Sequence, residues 1–238
     1  MRLSIQREGG QALVESALTF PMMLFTLLGI LQLTLAYHAR ILAEYAVFKA
    51  ARSGSVYRAD CEKMKMAALA ALAPSTSYTL ANNPDMKTLY KSTQDLVKTN
   101  QTGHGTPIAW LDYELENLER DFDYQHESDS DEVMRIRVKL AYFFHYRIPF
   151  ANWVMVRFWL ATQRGFHWAT YDPTMLNMKA ESPPARQTVD ADLLDQVEAN
   201  MGHSPKVYSS PIVASWSMRM MSEPTDAAKS KTGKWKCK

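Results

Sequence analysis

The amino-acid sequence predicts an α+β protein in which a long N-terminal transmembrane helix is followed by a small domain with an antiparallel sheet and short helices. Three observations lead to this prediction: an uncharged apolar run near the N-terminus, a helical apolar repeat directly after it, and alternating strand patterns towards the C-terminus. The chain has 238 residues with 27 Lys and Arg against 25 Asp and Glu, so its formal net charge is +2. Because this balance is nearly even, the composition does not indicate nucleic-acid binding.

The apolar run extends over Ala17–Tyr37 and carries no formal charge, and Gln32 is its only strongly polar side chain. About 20 apolar residues at 1.5 Å each match the hydrocarbon thickness of a bilayer. The polar stripe of a soluble core helix is missing. A secretory signal peptide would be shorter and would end at small residues, whereas His38 and Arg40 follow here. The sequence therefore predicts one retained span in the lipid bilayer, and the arginines before it favour a cytoplasmic N-terminus.

The apolar repeat after the span has the three- and four-residue steps of a helix that continues out of the membrane, at Ile41, Leu42, Tyr45, Phe48 and Ala51. Strong helix formers then continue as far as Pro74. We therefore expect one transmembrane and stem helix over residues 11–73, with a weak point at Ser53 and Gly54.

An external α+β domain is expected over residues 74–224, and three helices are predicted within it. The first begins at the Asn83-Pro84-Asp85 start signal and continues past Leu96. The third ends at Gly202, a typical C-terminal glycine. The second is an amphipathic helix whose apolar residues are Leu111, Leu115, Leu118 and Phe122.

Two strands are predicted towards the C-terminus. Charged and apolar side chains alternate from Met134 into Phe144, after an acidic turn at 126–132, which is typical of a half-buried strand. Residues 207–221 form the expected closing strand between two prolines. Because two strands alone are marginally stable, a third is expected, with the segment around Tyr78 as the candidate.

Glu15 lies at the edge of the apolar run, directly after the pair Gly9-Gly10. A carboxylate that enters a bilayer is costly, which makes such a residue a functional candidate. If a peptidase cuts after Gly10, Gln11 carries a new amine, and Glu15 becomes the fifth residue, placed to pair with the amine of a neighbouring subunit. The simpler interpretation is that Glu15 lies in the headgroup layer.

These residues belong to the stretch REGGQALVESALTFPMMLFTLLGILQL, continued by LAYHARILAEYAVFKAARSGSV, which resembles the TadE-like family of the tight-adherence (Flp, type IVc) pilus system. The residues that carry the resemblance are Gly10, Gln11, Val14, Glu15, Ala17, Pro21 and Gly29. The resemblance implies a pilin-like fold and a minor pilin or pseudopilin that acts in pilus assembly without catalysis or a cofactor. It also implies cleavage between Gly10 and Gln11, which would remove a leader over residues 1–10.

The resemblance further implies the location and the partners. The protein would lie in the bacterial inner membrane with its C-terminal domain in the periplasm, and it could enter a pilus. Its partners would be other pilin or pseudopilin subunits, the prepilin peptidase, the inner-membrane assembly platform and the bilayer. Two alternatives remain: an uncleaved single-pass anchor whose periplasmic domain binds an envelope partner, and a membrane-tethered enzyme. No GxSxG, P-loop or GxGxxG motif supports the enzyme.

A crowded aromatic stretch follows the first predicted strand and contains Trp153, Arg157 and Trp159. Its charged residues make a second span improbable by length. Core packing is one interpretation. The other is a membrane-interface element with aromatic rings at headgroup depth and an arginine that reaches outward. Four aspartates could suggest a calcium site, at positions Asp121, Asp123, Asp129 and Asp131, but the ligand order of an EF-hand is absent, so no metal site is predicted.

Cys61 and Cys237 are the two cysteines of the chain, and Cys237 lies in a lysine-rich tail over residues 225–238 that is expected to be flexible. In an oxidising periplasm the two could form a disulfide. Nothing in the sequence places the tail near Cys61, so two unpaired thiols are the alternative. The lysines would be attracted to anionic headgroups if the tail lies near the membrane.

Overall fold

The computed structural model describes the backbone of residues 9–76, 94–103, 105–116, 133–163, 190–202, 206–229 and 237, and the N-terminal side chains are described from Leu13 onwards. The predicted fold class is confirmed, since a long apolar helix precedes a small domain with a three-stranded antiparallel sheet and short helices. The predicted acidic turn at 126–132 and the strand proposed around Tyr78 lie outside the described residues. Of the predicted helix that begins at Asn83, residues 94–99 are described, and they are helical.

The N-terminal helix, α1, spans Gly9–Val56 and contains Pro21. At 1.5 Å per residue its 48 residues extend over about 72 Å. Residues 13–27 are exposed throughout, whereas from Leu28 onwards one face of the helix is covered by the domain. We call Leu13–Leu27 the protruding segment and Leu28–Val56 the packed segment.

The expectation of one helix over residues 11–73 was wrong. α1 ends at Val56, and a second helix, α2, spans Cys61–Thr76. In the turn between them Arg58 and Ala59 have positive φ angles of 55° and 59°. The Asp60 carboxylate then accepts a hydrogen bond of 3.0 Å from the amide of Glu62, which caps the start of α2.

The direction of α2 follows from its last turn, where the Ser75 carbonyl accepts a hydrogen bond of 2.6 Å from Arg147, just after the second strand. α2 therefore packs back along α1. The predicted weak point at Ser53 and Gly54 lies inside α1, a few residues before the turn, and α2 continues two residues beyond Pro74.

The sheet consists of β1 (Ala109–Glu116), β2 (Arg135–His145) and β3 (Ser209–Arg219), in the order β1-β2-β3 with both pairs antiparallel. The two strands predicted towards the C-terminus are confirmed as β2 and β3. β1 replaces the amphipathic helix predicted there, because Leu111 and Leu115, four residues apart, share one face of a strand as well as one face of a helix.

Helices cover both faces of the sheet. Alternate β2 residues such as Leu140 and Tyr142 lie in the core that includes α1 and α2. Ala141 and Phe143, on the opposite face, pack in a second core. That second core also contains residues of α3 (Ala151–Gln163) and of α4 (Ala191–Gly202), which ends at the glycine predicted from the sequence.

β3 runs alongside the packed segment of α1. The Arg40 guanidinium donates a hydrogen bond of 3.0 Å to the Val213 carbonyl, and the Ser55 hydroxyl donates one of 2.6 Å to the Arg219 carbonyl. Six residues of strand and fifteen residues of helix both extend over about 20 Å. The other end of the sheet, where β2 stops at His145, therefore lies towards the protruding segment. We call it the span-side end of the domain.

Candidate functional site

The protruding segment is a helix surface of large apolar side chains. In the most apolar window of α1 only 6% of the residues are buried, which is not the pattern of a core helix in a soluble protein. Its hydroxyl side chains bond within the helix, since those of Thr19 and Thr26 each donate a 2.8 Å hydrogen bond to a carbonyl four residues earlier. Such internal pairing is what a hydrocarbon environment requires. The helix is consistent with a single-pass membrane anchor.

Glu15 is exposed near the start of this segment. Within the described part of the chain no cation lies within ion-pair distance of its carboxylate. Gly10 and Gln11 lie in the first turns of α1, and their side chains are not described. At 1.5 Å per residue, Glu15 is about 25 Å along the helix from Gln32, where the domain closes on α1.

Gln32 fixes α1 to the span-side end of the domain. It is fully buried, and its Oε1 accepts a hydrogen bond of 3.0 Å from the backbone amide of Ile148. Its Nε2 has no hydrogen-bond partner among the described residues. Gln32 stood out in the sequence as the polar residue of the apolar run, but its partner is 116 residues away and carries no sequence signal.

The residues predicted to lie at a membrane interface separate into two groups on α3. Trp153 and Arg157 are exposed, together with the apolar residues Val154 and Phe158. Trp159 is partly buried and packs against the second core instead. Sequence reasoning missed Phe150, which precedes α3, is 66% exposed and has a φ angle of 65°.

Phe150 also contacts the protruding segment. Its ring centroid lies 6.2 Å from that of Phe25 in an edge-to-face arrangement. Phe25 is seven residues, or about 10 Å, before Gln32 along α1. The start of α3 therefore reaches below the end of the sheet, and its exposed face adjoins the apolar surface of α1. We call Phe150, Trp153, Val154 and Phe158 the apolar face of α3.

The structure pairs Cys61 with Cys237 in a disulfide, with 5.4 Å between the Cα atoms. Cys237 is buried, and its amide donates a 3.0 Å hydrogen bond to the Leu111 carbonyl of β1. The expectation of a flexible tail over 225–238 therefore fails for its described residues. A short helix, α5, spans Asp226–Lys229, and Cys237 is tied to both α2 and the sheet edge.

A cavity of about 270 Å³ lies at the span-side end, between the end of α2 and residues 206–208. Burial raises the pKa of the Tyr142 phenol above its ordinary value, while its hydrogen bond to Ser75 and the charge of Arg147 act in the opposite direction. Burial likewise raises the pKa of Tyr146. The described lining of this cavity contains neither a carboxylate nor a thiol. In the same described part of the chain, no group of three or more His, Cys, Asp or Glu side chains could hold a metal ion.

The fold and these surfaces define a protein with one long apolar N-terminal helix that is consistent with a membrane anchor. A protein-family model described as TadE, TadE-like protein, matches residues 10–52, all of which lie within α1. The resemblance to the TadE-like family is thus confirmed over these residues, and the match associates the protein with the tight-adherence pilus. No curated protein and no solved structure gives a significant match.

Proposed function

We propose that this protein is a non-catalytic minor pilin or pseudopilin that acts in assembly of a tight-adherence pilus. The observation that carries the proposal is the coincidence of the TadE-like match with α1. Within that one helix, the protruding segment exposes apolar surface and the packed segment supports the domain. A subunit of this shape can be held in a bilayer by its protruding segment and can pack the same surface against other subunits.

In the proposed maturation step, prepilin peptidase cuts between Gly10 and Gln11. The new amine then lies four residues from Glu15, about 6 Å along the helix. A charged carboxylate is costly in an apolar environment unless it is paired. Glu15 would find that pair in the terminal amine of a neighbouring subunit, since its own domain first contacts α1 at Phe25, about 15 Å away along the helix.

N-terminal sequencing of the protein from cells with and without the peptidase tests the cleavage. We expect Gln11 as the first residue when the peptidase is present and Met1 when it is absent. An intact Met1 in both would contradict processing. It would favour an uncleaved single-pass anchor whose domain binds an envelope partner.

Glu15→Ala tests the pairing role separately. We expect loss of incorporation into assembled pili with unchanged thermal unfolding of the domain. The matched control is Glu44→Ala, which removes an exposed glutamate from the packed segment of the same helix. This control should assemble normally. Normal assembly of Glu15→Ala, or equal loss in both variants, would refute the role of Glu15.

A further inference from the structure

The protruding segment is too short to cross a bilayer alone. Leu13–Leu27 extends over about 22 Å at 1.5 Å per residue, whereas the hydrocarbon core is about 30 Å thick. The uncharged run that matches the hydrocarbon thickness is Ala17–Tyr37, and only its first part lies in the protruding segment. Its remaining residues lie beyond Leu27, where the domain already lies against α1. A bilayer that α1 crosses therefore also surrounds the span-side end of the domain.

Arg147 and Lys206 make one part of that end polar, whereas another part suits hydrocarbon. The apolar face of α3 is exposed and continues directly into the protruding segment through the contact of Phe150 with Phe25. We propose that the apolar face of α3 inserts into the leaflet on the domain side of a phospholipid bilayer, beside α1. The domain then has two membrane contacts rather than one, and its rotation about α1 is restricted.

The backbone of Phe150 supports this placement. Its φ angle of 65° lies in the left-handed region, which is unfavourable for a bulky side chain and easy for glycine. Exposure of the phenyl ring to water supplies no free energy that offsets this backbone strain. In a bilayer the ring would be buried, and that burial would offset the strain.

Arg157 is the charged residue beside this face, and it is compatible with the same placement. Its long side chain can carry the guanidinium towards the headgroups while the stem stays in apolar surroundings. Trp153, on the first turn of α3, is a residue type that favours the membrane–water interface.

The test uses the full-length protein, reconstituted as one copy per nanodisc, in phosphatidylethanolamine and phosphatidylglycerol with brominated acyl chains. Bromine quenches tryptophan fluorescence only at short range. We expect the quenched component of wild type to be lost in Trp153→Phe. The control, Trp216→Phe, removes a tryptophan that contacts Phe48, about 34 Å along α1 from Phe25, and should leave the quenched component unchanged.

A second variant separates strain from membrane contact. Phe150→Gly relieves the left-handed strain, so the domain should unfold in detergent at the same temperature or a higher one. In nanodiscs the same variant should show reduced quenching of Trp153. A lower unfolding temperature with unchanged quenching would assign Phe150 a purely structural role and overturn the proposal.

The outcomes distinguish this proposal from the proposed function, on which it does not rest. Quenching of Trp153 supports it whether or not the protein enters a pilus. A disc-bound protein with unquenched Trp153 would overturn it. The proposal would also be overturned if the apolar face of α3 is covered only in discs that hold two copies, because that face would then bind a second copy. A protein that does not stay with the discs would overturn both the membrane anchor and this placement.

Discussion

Both parts of α1 carry apolar surface, yet the protruding segment is exposed and the packed segment supports the domain. The protruding segment exposes large side chains such as Leu18, Met22 and Phe25. The face of the packed segment that lies against the domain is made mostly of small residues, such as Ala39, Ala43, Ala46 and Ala50, all fully or almost fully buried. Small side chains let the sheet and α2 approach the helix axis closely, whereas large ones fill space among lipid chains. Side-chain size therefore separates the exposed surface of the protruding segment from the face of the packed segment that lies against the domain.

The largest expected effect concerns the start of α2, just after the packed segment, where the disulfide joins Cys61 to Cys237 across a sequence separation of 176. In the chain-entropy model so long a loop corresponds to about 5 kcal/mol of stabilisation, and removal of a disulfide from a small domain commonly costs about 2–5 kcal/mol. The double variant Cys61→Ser/Cys237→Ser should lower the free energy of unfolding of the domain by about 2–5 kcal/mol. Urea unfolding followed by fluorescence measures it.

The reductant provides the control for this prediction. Wild type should become as unstable as the double variant when it is reduced, and the double variant should not respond. Two alkylatable thiols in protein taken from an oxidising compartment would contradict the pairing. The protruding segment should be unaffected, so membrane association should persist in every case.

A smaller effect, which differs between the two ends of the packed segment, is expected when Gly29 near its start or Gly54 near its end is changed to alanine. At Gly54 a Cβ would lie 2.5 Å from Met64 Sδ and 2.8 Å from Ile136 Cδ1, and both of these residues are fully buried. Gly54→Ala should therefore destabilise the domain by about 1–3 kcal/mol through overpacking. Thermal or urea unfolding measures the change.

Gly29→Ala is the matched control, because no atom lies within 4 Å of a Cβ built there. Alanine has the higher helix propensity by about 1 kcal/mol, so this variant should leave the domain as stable as wild type or make it more stable. Equal destabilisation by both substitutions would show that close contact with the domain does not determine the effect.

The sequence alone could predict the elements whose pattern is local. The uncharged run over Ala17–Tyr37 predicted a long apolar helix, and alternation from Met134 into Phe144 predicted β2. Glycine at position 202 marked the end of α4. These predictions succeeded because composition and periodicity along a few turns or one strand determine the element.

The other features depend on contacts between distant parts of the chain. β1 was missed because Leu111 and Leu115 satisfy a helical as well as a strand period, although Asp112 and Glu114 between them carry the alternation of a strand. The turn after α1 was missed because hydrogen bonds from the far end of the chain hold it, including one of 3.0 Å from the Arg58 amide to the Ser222 hydroxyl.

The candidate site shows the same division. Glu15 and Trp153 could be singled out by residue type and by their position relative to the apolar run. The contact of Gln32 with Ile148 could not, and neither could that of Phe25 with Phe150, because each joins residues more than 100 positions apart. Nothing in the local pattern of either partner indicates the other.

The smallest expected effect is a change in alkaline stability at Tyr142, which shares the core of the packed segment. Burial raises the pKa of this phenol above 10.0 in the folded protein, because the charged form is disfavoured there. The contribution of the protonated phenol to the free energy of unfolding is therefore complete below pH 10. It is lost as the pH rises from 10 towards the folded pKa, since the unfolded chain releases the proton first.

Tyr142→Phe should cost about 0.5–1.5 kcal/mol at neutral pH through the lost hydrogen bond to Ser75, and its stability should fall less steeply above pH 10. Urea unfolding at pH 8–11 measures both changes. Ser75→Ala keeps the buried phenol and should retain the steep alkaline loss, so an equal flattening in both variants would show that the hydrogen bond, and not burial, controls the titration.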